Sequence, residues 1–271
     1  MGNTIQTNTA SLAAQRSLTR TNNDLQTTFQ RLSSGFRINS AKDDASGLFI
    51  SNQLTSQIGG LTVAIRNAND GISFAQTAEG GMAEITNILQ RMRDLAVQSA
   101  NGTNGTNERT ALNAEYTALE AEVKRITDQT SFGSTNVLNS ATAVNIQVGT
   151  NSGETIAISG TNLTGLNAYT AGGGIDSAAN AGTALGQIDA DIIAVDTARG
   201  ALGAVQNRLT ATVANLQSVV ENASAARSRV RDTDFAVETA NLTKNQVLQQ
   251  AGYSVLAQAN TSSQQILSLL Q

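Results

Sequence analysis

Two adjacent aspartates near the start of the chain are the residues best placed for chemistry. Asp43 and Asp44 follow Ser40 in the segment 32–47, which reads LSSGFRINSAKDDASG. Paired carboxylates can hold a divalent cation or share acid–base work. The alternative is a joint between two helices, in which acidic side chains complement the dipole of a helix N-terminus. The spacing of Ser40 and Asp43 predicts a capping box, and we therefore favour the joint.

A second acidic pair lies near the other end of the chain. The segment 229–236, RVRDTDFA, places Asp232 and Asp234 at another predicted break, which we expect to lie opposite the first one. The basic residues beside the two breaks are candidates for salt bridges between neighbouring subunits of an assembly, with simple solvated charge as the alternative. They are Arg37, Lys42, Arg229 and Arg231.

The composition disfavours catalysis. The chain of 271 residues has no His, Cys, Pro or Trp. Without His or Cys it can form no Ser-His-Asp triad, no Cys-His pair and no usual zinc site. We therefore predict that it is not an enzyme and takes no cofactor. The net charge of −4 argues against nucleic acid as a partner, and the absence of a long apolar run argues against membrane insertion.

Long helices are the elements that must position these residues. The chain lacks Pro, which helix interiors do not tolerate, and only 3% of its residues are aromatic. Apolar residues alternate at spacings of three and four, the pattern of a coiled-coil seam, over 54–72, 82–96, 112–126 and 185–220. We predict a mainly α fold: an elongated, coiled-coil-like helical bundle with paired terminal helices and a small β-hairpin insert.

Both chain ends show the same apolar pattern and little charge. Residues 1–15 and 245–271 carry no charged side chain. Isolated helices of this kind are marginal in water, so we expect the ends to pair with each other or with other copies of the chain. The residues predicted to pack in this way are Leu25, Phe29, Leu32, Leu248, Val255, Ile266 and Leu269.

The composition changes between residues 130 and 184, where Gly, Thr, Asn and Ser dominate. Within this stretch, VNIQV (144–148) and TIAI (155–158) alternate apolar and polar residues and predict a β-hairpin. We therefore divide the chain into three parts. These are an inner terminal-helix domain (1–45 with 232–271), a helical rod domain (46–139 with 185–231) and a small hairpin and loop insert (140–184).

Several long motifs resemble bacterial flagellin, in the same order along the chain. They are LSSGFRINSAKDDASGL (32–48), LQRMRDLAVQSANGTN (89–104) and DFAVETANLTKNQVLQQAGYSVLAQAN (234–260). The resemblance covers nearly all of 1–139 and 185–271, and is to a short form without large outer domains. It implies a structural subunit that self-assembles into the flagellar filament for motility. The alternative is a hook–filament junction protein, for which so close a match over 89–104 is not expected.

The resemblance also implies partners and a location. Flagellins pass unfolded through the flagellar type III export apparatus without a cleaved signal peptide, so the chain is expected to be secreted into the extracellular filament. The implied partners are further copies in a helical homopolymer, a flagellar export chaperone, and the cap and hook-junction proteins. A secreted enzyme displayed on the filament is a third class. It is disfavoured because the insert region offers only Glu154, Asp176 and Asp189 as acids.

Recognition by Toll-like receptor 5 is a further property that the resemblance implies. The matching positions are Gln90, Arg91, Leu95 and Gln98, with Glu115 on the following helix. Arg91, Leu95 and Gln98 are spaced so that one helix face is expected to present all three. In this family the same face also packs against the next subunit.

Overall fold

The computed structural model describes residues 7–171 and 173–268, with side chains described as far as residue 262. Over these residues the chain is mainly α-helical, as predicted, with two short antiparallel hairpins. The helices are α1 (Thr9–Ser34), α2 (Ala45–Ala100), α3 (Thr106–Gln129), α4 (Asn167–Thr170), α5 (Ala178–Arg231) and α6 (Phe235–Ser268). The strands are β1 (Ser131–Phe132), β2 (Thr135–Asn136), β3 (Val144–Gln147) and β4 (Thr155–Ile158).

The described chain divides into two compact units. The terminal unit is built from the described residues up to Ser56 and from Asn222 onward, and the central unit comprises Gln57–Glu221. The finer division into three parts stays a prediction.

In the terminal unit, α1 and α6 lie side by side and run antiparallel. Near one end the Asn8 Nδ2 donates to the Ala259 carbonyl at 2.9 Å, and near the other Arg31 Nη1 lies 4.0 Å from Glu238 Oε1. The Asn8 side chain also accepts from the Ser11 N–H and so caps the first turn of α1. The pairing of the two chain ends is therefore built into a single chain.

In the central unit, α2, α3 and α5 contribute to one apolar core. On these helices its largest fully buried side chains follow the three- and four-residue spacing seen in the sequence. They are Met82, Ile85, Leu89, Met92 and Leu95 from α2, Val123 from α3, and Ile188 and Leu209 from α5. An exposed ion pair also joins α2 to α5, with Arg93 Nε 2.8 Å from Asp189 Oδ1.

The predicted β-hairpin is present in the central unit. β3 and β4 pair antiparallel, with Val144 opposite Ile158. Ile156 and Ile158 alternate with exposed residues and are buried in the core. The Asn67 side chain of α2 donates to the Gln147 carbonyl at 3.2 Å, which fixes β3 to that helix.

The segment between α3 and α5 holds two elements that the sequence did not predict. A second hairpin, β1–β2, turns at Gly133, whose φ of 61° is the left-handed conformation that glycine favours. α4 is a single turn held by Asp191 of α5. The carboxylate of Asp191 accepts from the Asn167 N–H at 3.0 Å and from the Ala168 N–H at 2.8 Å.

α5 begins at Ala178, earlier than the apolar spacing predicted. Its first turns are built from Ala, Gly and Asn, and the buried residues there are Ala181 and Ala184. Alanine favours helix but adds no large apolar side chain. The helix therefore begins before the first large apolar residues from which it was predicted.

Candidate functional site

The contact between α1 and α6 follows a heptad pattern made mostly of small and polar residues. Its buried and half-buried positions step by three and four along each helix, as in a coiled coil. We call these positions the α1–α6 seam. They are Ser11, Ala14, Leu18, Thr21, Leu25, Thr28 and Leu32 on α1, and Glu238, Leu242, Asn245, Gln249, Gly252, Leu256 and Ala259 on α6.

Polar groups on and beside the seam find partners within the terminal unit. The Thr21 hydroxyl donates to the Ser17 carbonyl one turn earlier at 3.0 Å, and the Gln249 Nε2 donates to Asn22 Oδ1 at 2.7 Å. Gly252 leaves room for a close approach of α1. Polar residues at such positions fix the register of a coiled coil at a cost in stability.

Large apolar side chains are exposed on the terminal unit, at positions outside the seam. We call them the terminal apolar surface: Leu12, Phe29, Phe49, Ile50, Phe235, Val237, Val247, Leu248, Tyr253 and Val255. In the central unit the described residues of this kind are fewer, namely Val63, Val97, Phe132 and Ile193. Extensive exposed apolar surface marks an interaction site, and here it is concentrated in the unit whose own seam is weakly apolar.

The residues predicted to pack the chain ends fall into three groups. Leu25 and Leu32 lie on the seam within one chain. Phe29, Leu248 and Val255 lie on the terminal apolar surface, where the described residues leave about half of each of them exposed. Ile266 and Leu269 lie outside the residues whose side chains the structure describes.

In the first acidic pair, Asp43 closes a turn and Asp44 caps a helix. Asp43 Oδ2 accepts from the Ser40 N–H at 2.9 Å, the Ser40 hydroxyl at 3.0 Å and the Asn39 N–H at 3.2 Å. The bonds from Ser40, followed by that from Asn39, hold the pKa of Asp43 below its ordinary value. Asp44 caps α2, because its Oδ1 accepts from the Gly47 N–H at 2.8 Å.

This arrangement corrects the predicted capping box. Ser40 and Asp43 are bonded as the spacing suggested, but they close a turn and not the helix, since α2 begins at Ala45. The helix cap is the second aspartate, Asp44.

The second acidic pair lies beside the first break. Asp234 Oδ1 accepts from the Ala236 N–H at 2.8 Å and the Val237 N–H at 3.3 Å, and so caps α6. Asp232 pairs with Phe36 in an isolated β-bridge. The structure therefore brings the two predicted breaks together in the terminal unit.

Arg37 secures this contact at the C-terminus of α5. Its N–H donates to the Arg231 carbonyl at 2.7 Å, and its Nη2 donates to the Val230 carbonyl at 2.6 Å. A cation at a helix C-terminus also complements the dipole. In return the Arg231 guanidinium stacks 4.1 Å from the centre of the Phe36 ring.

The four basic residues at the breaks form no salt bridge within the described part of the chain. Arg37 and Arg231 make the contacts above, whereas Lys42 and Arg229 are exposed. Lys42 and Arg229 therefore remain the better candidates for salt bridges with neighbouring subunits.

The positions matched to receptor binding lie on α2 and α3 of the central unit. Gln90, Arg91, Gln98 and Glu115 are exposed. Arg91 joins the two helices, because its Nε and Nη2 donate to Glu115 Oε1 at 2.9 and 2.6 Å. These four residues could be reached by a partner from outside.

Leu95 does not share that exposed face. It is 1% exposed and belongs to the core, so the expectation that one face presents Arg91, Leu95 and Gln98 together is wrong for Leu95. The reason is its spacing from the core residues Leu89 and Met92, which places it on the inward stripe of α2.

Glu120 is a buried acid that the sequence did not single out. It is 6% exposed on α3, and burial raises its pKa to about 7. Tyr116, one turn earlier, is also buried, and burial followed by the charges of Glu120 and Asp191 raises its pKa to about 12. Glu120, Lys124 and Tyr169 line a cavity of about 260 Å³. The Nζ atom of Lys124 lies 5.1 Å from the centre of the Tyr169 ring.

Within the described residues, no group of acids is arranged to hold a metal ion. Asp43, Asp44 and Asp234 all accept hydrogen bonds from backbone N–H groups, which is the structural role favoured for the first pair at the outset. None of the described helices combines the length and the hydropathy that crossing a membrane requires.

Comparison with known proteins gives concordant matches at both ends of the chain. The bacterial flagellin N-terminal helical region matches residues 5–143, and the bacterial flagellin C-terminal helical region matches residues 185–270. The sequence is 39% identical to Flagellin A of Vibrio cholerae serotype O1, over 98% of this chain and 99% of that protein. The chain belongs to the bacterial flagellin family.

Other relatives agree with this assignment. Flagellin D of Vibrio cholerae serotype O1 is 38% identical over 98% of this chain and 99% of its own. The crystal structure of Bacillus cereus flagellin is 31% identical, with a TM-score of 0.51, and the match covers 60% of this chain and 94% of that one.

This flagellin is a structural subunit of the flagellar filament, which confirms the leading sequence-based interpretation. It is a short form. The alignment with Flagellin A spans 375 positions, more than the 271 residues of this chain, so that relative holds residues absent here.

Proposed function

We propose that the terminal apolar surface is the main polymerisation interface of this flagellin, and that the inner terminal-helix domain (1–45 with 232–271) forms the core tube of the filament. The observation that carries the proposal is the concentration of exposed large apolar side chains on the terminal unit. Fully burying one such side chain contributes about 1.5 to 3 kcal/mol, so covering several of them against neighbouring copies supplies substantial binding free energy.

The location of these residues supports the same view. Phe29, Leu248 and Val255 are exposed although they stand on helices that already pair within the chain. A two-helix pair has faces outside its seam, and further helices must cover them if the apolar side chains are to leave water. In a homopolymer those helices come from further copies.

The experiment is seeded polymerisation of the full chain on sheared filaments, followed by sedimentation and electron microscopy. The test variant carries Phe29→Ser and Val255→Ser, and the matched control carries Val63→Ser and Ile193→Ser on the central unit. We expect the test variant to raise the critical concentration by about tenfold or more, since each tenfold corresponds to about 1.4 kcal/mol.

The control should polymerise close to the unmodified protein. Circular dichroism of both variants shows whether α1 and α6 remain helical, because the substituted residues lie outside the seam. Normal polymerisation of the Phe29 and Val255 variant would contradict the proposal.

We also propose that the subunit is exported unfolded through the flagellar type III apparatus, with an export chaperone and the cap and hook-junction proteins as partners. Family membership supports this route. The weakly apolar α1–α6 seam also supports it, because little free energy is needed to unfold the chain ends. The test compares the subunit in the culture medium of a strain with an intact export gate and of a strain without one. Equal amounts in both media would exclude the route.

Recognition by Toll-like receptor 5 is proposed for the exposed residues Gln90, Arg91, Gln98 and Glu115. Their exposure on neighbouring helices, and the ion pair that holds Arg91 to Glu115, support a single binding surface. Leu95 would support this surface from below, without contacting the receptor.

A further inference from the structure

We propose that Asn101 is a site of spontaneous deamidation in the folded protein. The turn between α2 and α3 reads NGTNGTN (101–107), so the triplet Asn-Gly-Thr begins at Asn101 and again at Asn104. An asparagine before glycine is reactive because the glycine nitrogen can attack the side-chain carbonyl with no Cβ in the way. The two triplets have the same sequence, but the structure holds them differently.

At Asn101 the attacking nitrogen and the leaving group are unengaged. Asn101 and Gly102 are exposed in the turn that follows α2. Among the hydrogen bonds of the described residues, none uses the Asn101 Nδ2, which is the leaving group, or the Gly102 N–H, which supplies the attacking nitrogen. The Asn101 Oδ1 accepts from the Thr103 N–H at 3.3 Å. This contact keeps the Asn101 side-chain carbonyl beside the backbone of Gly102 and Thr103.

At Asn104 the leaving group is held. Its Nδ2 donates to the Gln98 carbonyl at 2.6 Å, which directs the carboxamide away from the next peptide. Gly105 is the N-cap residue of α3, and its carbonyl accepts from the Arg109 N–H at 3.2 Å. Ring closure at Asn104 would require the bond from Asn104 Nδ2 to the Gln98 carbonyl to break.

The reaction needs only water. The Gly102 nitrogen bonds to Asn101 Cγ, the Cγ–Nδ2 bond breaks, and ammonia leaves with the proton from the Gly102 nitrogen. The product is a cyclic imide. Water then opens either imide carbonyl and leaves an aspartate or an isoaspartyl linkage at position 101.

Either product changes the end of α2. The new carboxylate stands at a helix C-terminus, where the dipole disfavours negative charge. Arg109 is close, since its Nη2 donates to the Asn101 carbonyl at 3.1 Å and its Nε to the Ser99 carbonyl at 2.9 Å. The isoaspartyl product also lengthens the backbone between these contacts and those of Asn104, so we expect the turn to loosen.

The experiment follows the full chain by peptide mass spectrometry during incubation at mildly alkaline pH, folded and in concentrated urea. Both triplets fall in one tryptic peptide, residues 94–109, so fragment masses assign the exchange of NH₂ for OH to Asn101 or to Asn104 within a single molecule. A sample digested at time zero corrects for conversion during handling. In urea the two identical triplets should react at similar rates.

In the folded chain we expect Asn101 to react about tenfold or more faster than Asn104, because misplacing reacting groups by about an ångström costs up to a hundredfold in rate. Gly102→Ala should slow the reaction at Asn101 by a similar factor. A Cβ at position 102 meets nothing within 4 Å, so this variant should keep the fold, which circular dichroism checks. Equal rates in the folded chain, a faster reaction at Asn104, or no reaction at Asn101 while the urea sample converts would overturn the proposal.

Discussion

The Cδ1 atom of Leu18 lies 3.0 Å from the point where a Cβ on Gly252 would stand. This close approach joins α1 to α6 in the middle of the α1–α6 seam, and it explains a glycine in the interior of a long helix. Glycine there costs about 0.5 to 1 kcal/mol relative to alanine, which the close packing of Leu18 must offset.

Enlarging Gly252 should therefore weaken the pairing of the chain ends. We expect Gly252→Val to cost about 1 to 3 kcal/mol through overpacking, and Gly252→Ala to have a smaller effect because helix propensity compensates. Gly203→Ala on α5 is the control, since a Cβ there meets nothing and should stabilise the helix. The measurement is the melting temperature of assembled filaments, and an unchanged value for Gly252→Val would show that Leu18 does not constrain this position.

Burial of Glu120 should make the free energy of unfolding depend on pH. Its pKa of about 7 lies above the ordinary value of 4.5, so the folded chain retains a proton that the unfolded chain releases. The contribution of Glu120 to the free energy of unfolding is then fully present below pH 4.5 and is lost as the pH rises through about 7. Glu120→Gln cannot ionise, and we expect it to be more stable relative to the unmodified protein at pH 8 than at pH 5.

Urea unfolding at these two pH values tests this expectation. Glu122→Gln is the matched control on the same helix, because Glu122 is exposed and the Arg125 guanidinium holds its pKa below the ordinary value. The Glu122 carboxylate stays ionised at both pH values, so its variant should shift equally at each. The same pH dependence in the Glu120→Gln protein and the unmodified one would exclude Glu120 as the source.

Substitution of Arg91 tests its contact with the receptor in a protein that keeps its fold. Arg91 and Glu115 are about half exposed, and ion pairs of this kind contribute about 1 kcal/mol or less, so Arg91→Ala should keep the fold. We expect it to lower Toll-like receptor 5 signalling by about tenfold, as loss of a charged interface contact costs on the order of 1.4 kcal/mol or more. Arg125→Ala removes a similarly exposed ion pair on α3 and is the control. Unchanged signalling by Arg91→Ala would remove this residue from the proposed surface.

Asp234, which caps α6, should contribute more to the free energy of unfolding than Asp232. Asp234→Ala removes the acceptor for two backbone N–H groups, and we expect a loss of about 1 kcal/mol in the free energy of unfolding. Asp234→Asn should keep most of that stability. Asp232→Ala is the comparison, because the Asp232 side chain is exposed and makes no hydrogen bond within the described residues. Equal losses at 232 and 234 in urea unfolding would argue against the cap.

The regular parts of this fold could be predicted from the sequence because they depend on large apolar residues. The stripe that includes Met82, Leu89 and Met92 marks the core face of α2, and the alternation in 155–158 marks β4. Acidic residues beside helix starts mark the two breaks, although the sequence does not distinguish Asp44 from Asp43 as the cap of α2.

The α1–α6 seam could be read only in part from apolar spacing, which marked Leu25 and Leu32. Its positions include Thr21 and Thr28, and the Thr21 hydroxyl can be buried because it bonds to the carbonyl one turn back. Phe29 stands out in the sequence, yet it faces away from the seam. The single turn α4 escaped prediction for a related reason, since Asp191, distant in sequence, holds it in place.

The polar character of the α1–α6 seam also bears on when filaments begin. A pair of helices that buries little apolar surface gains little by ordering alone, so the first few subunits of a new filament must assemble against an unfavourable free energy. A subunit that reaches an existing tip meets ordered neighbours and avoids this nucleation barrier. Unseeded solutions should therefore show a long lag phase, and replacing Thr21 and Thr28 with Leu should shorten it and allow filaments to start away from a tip.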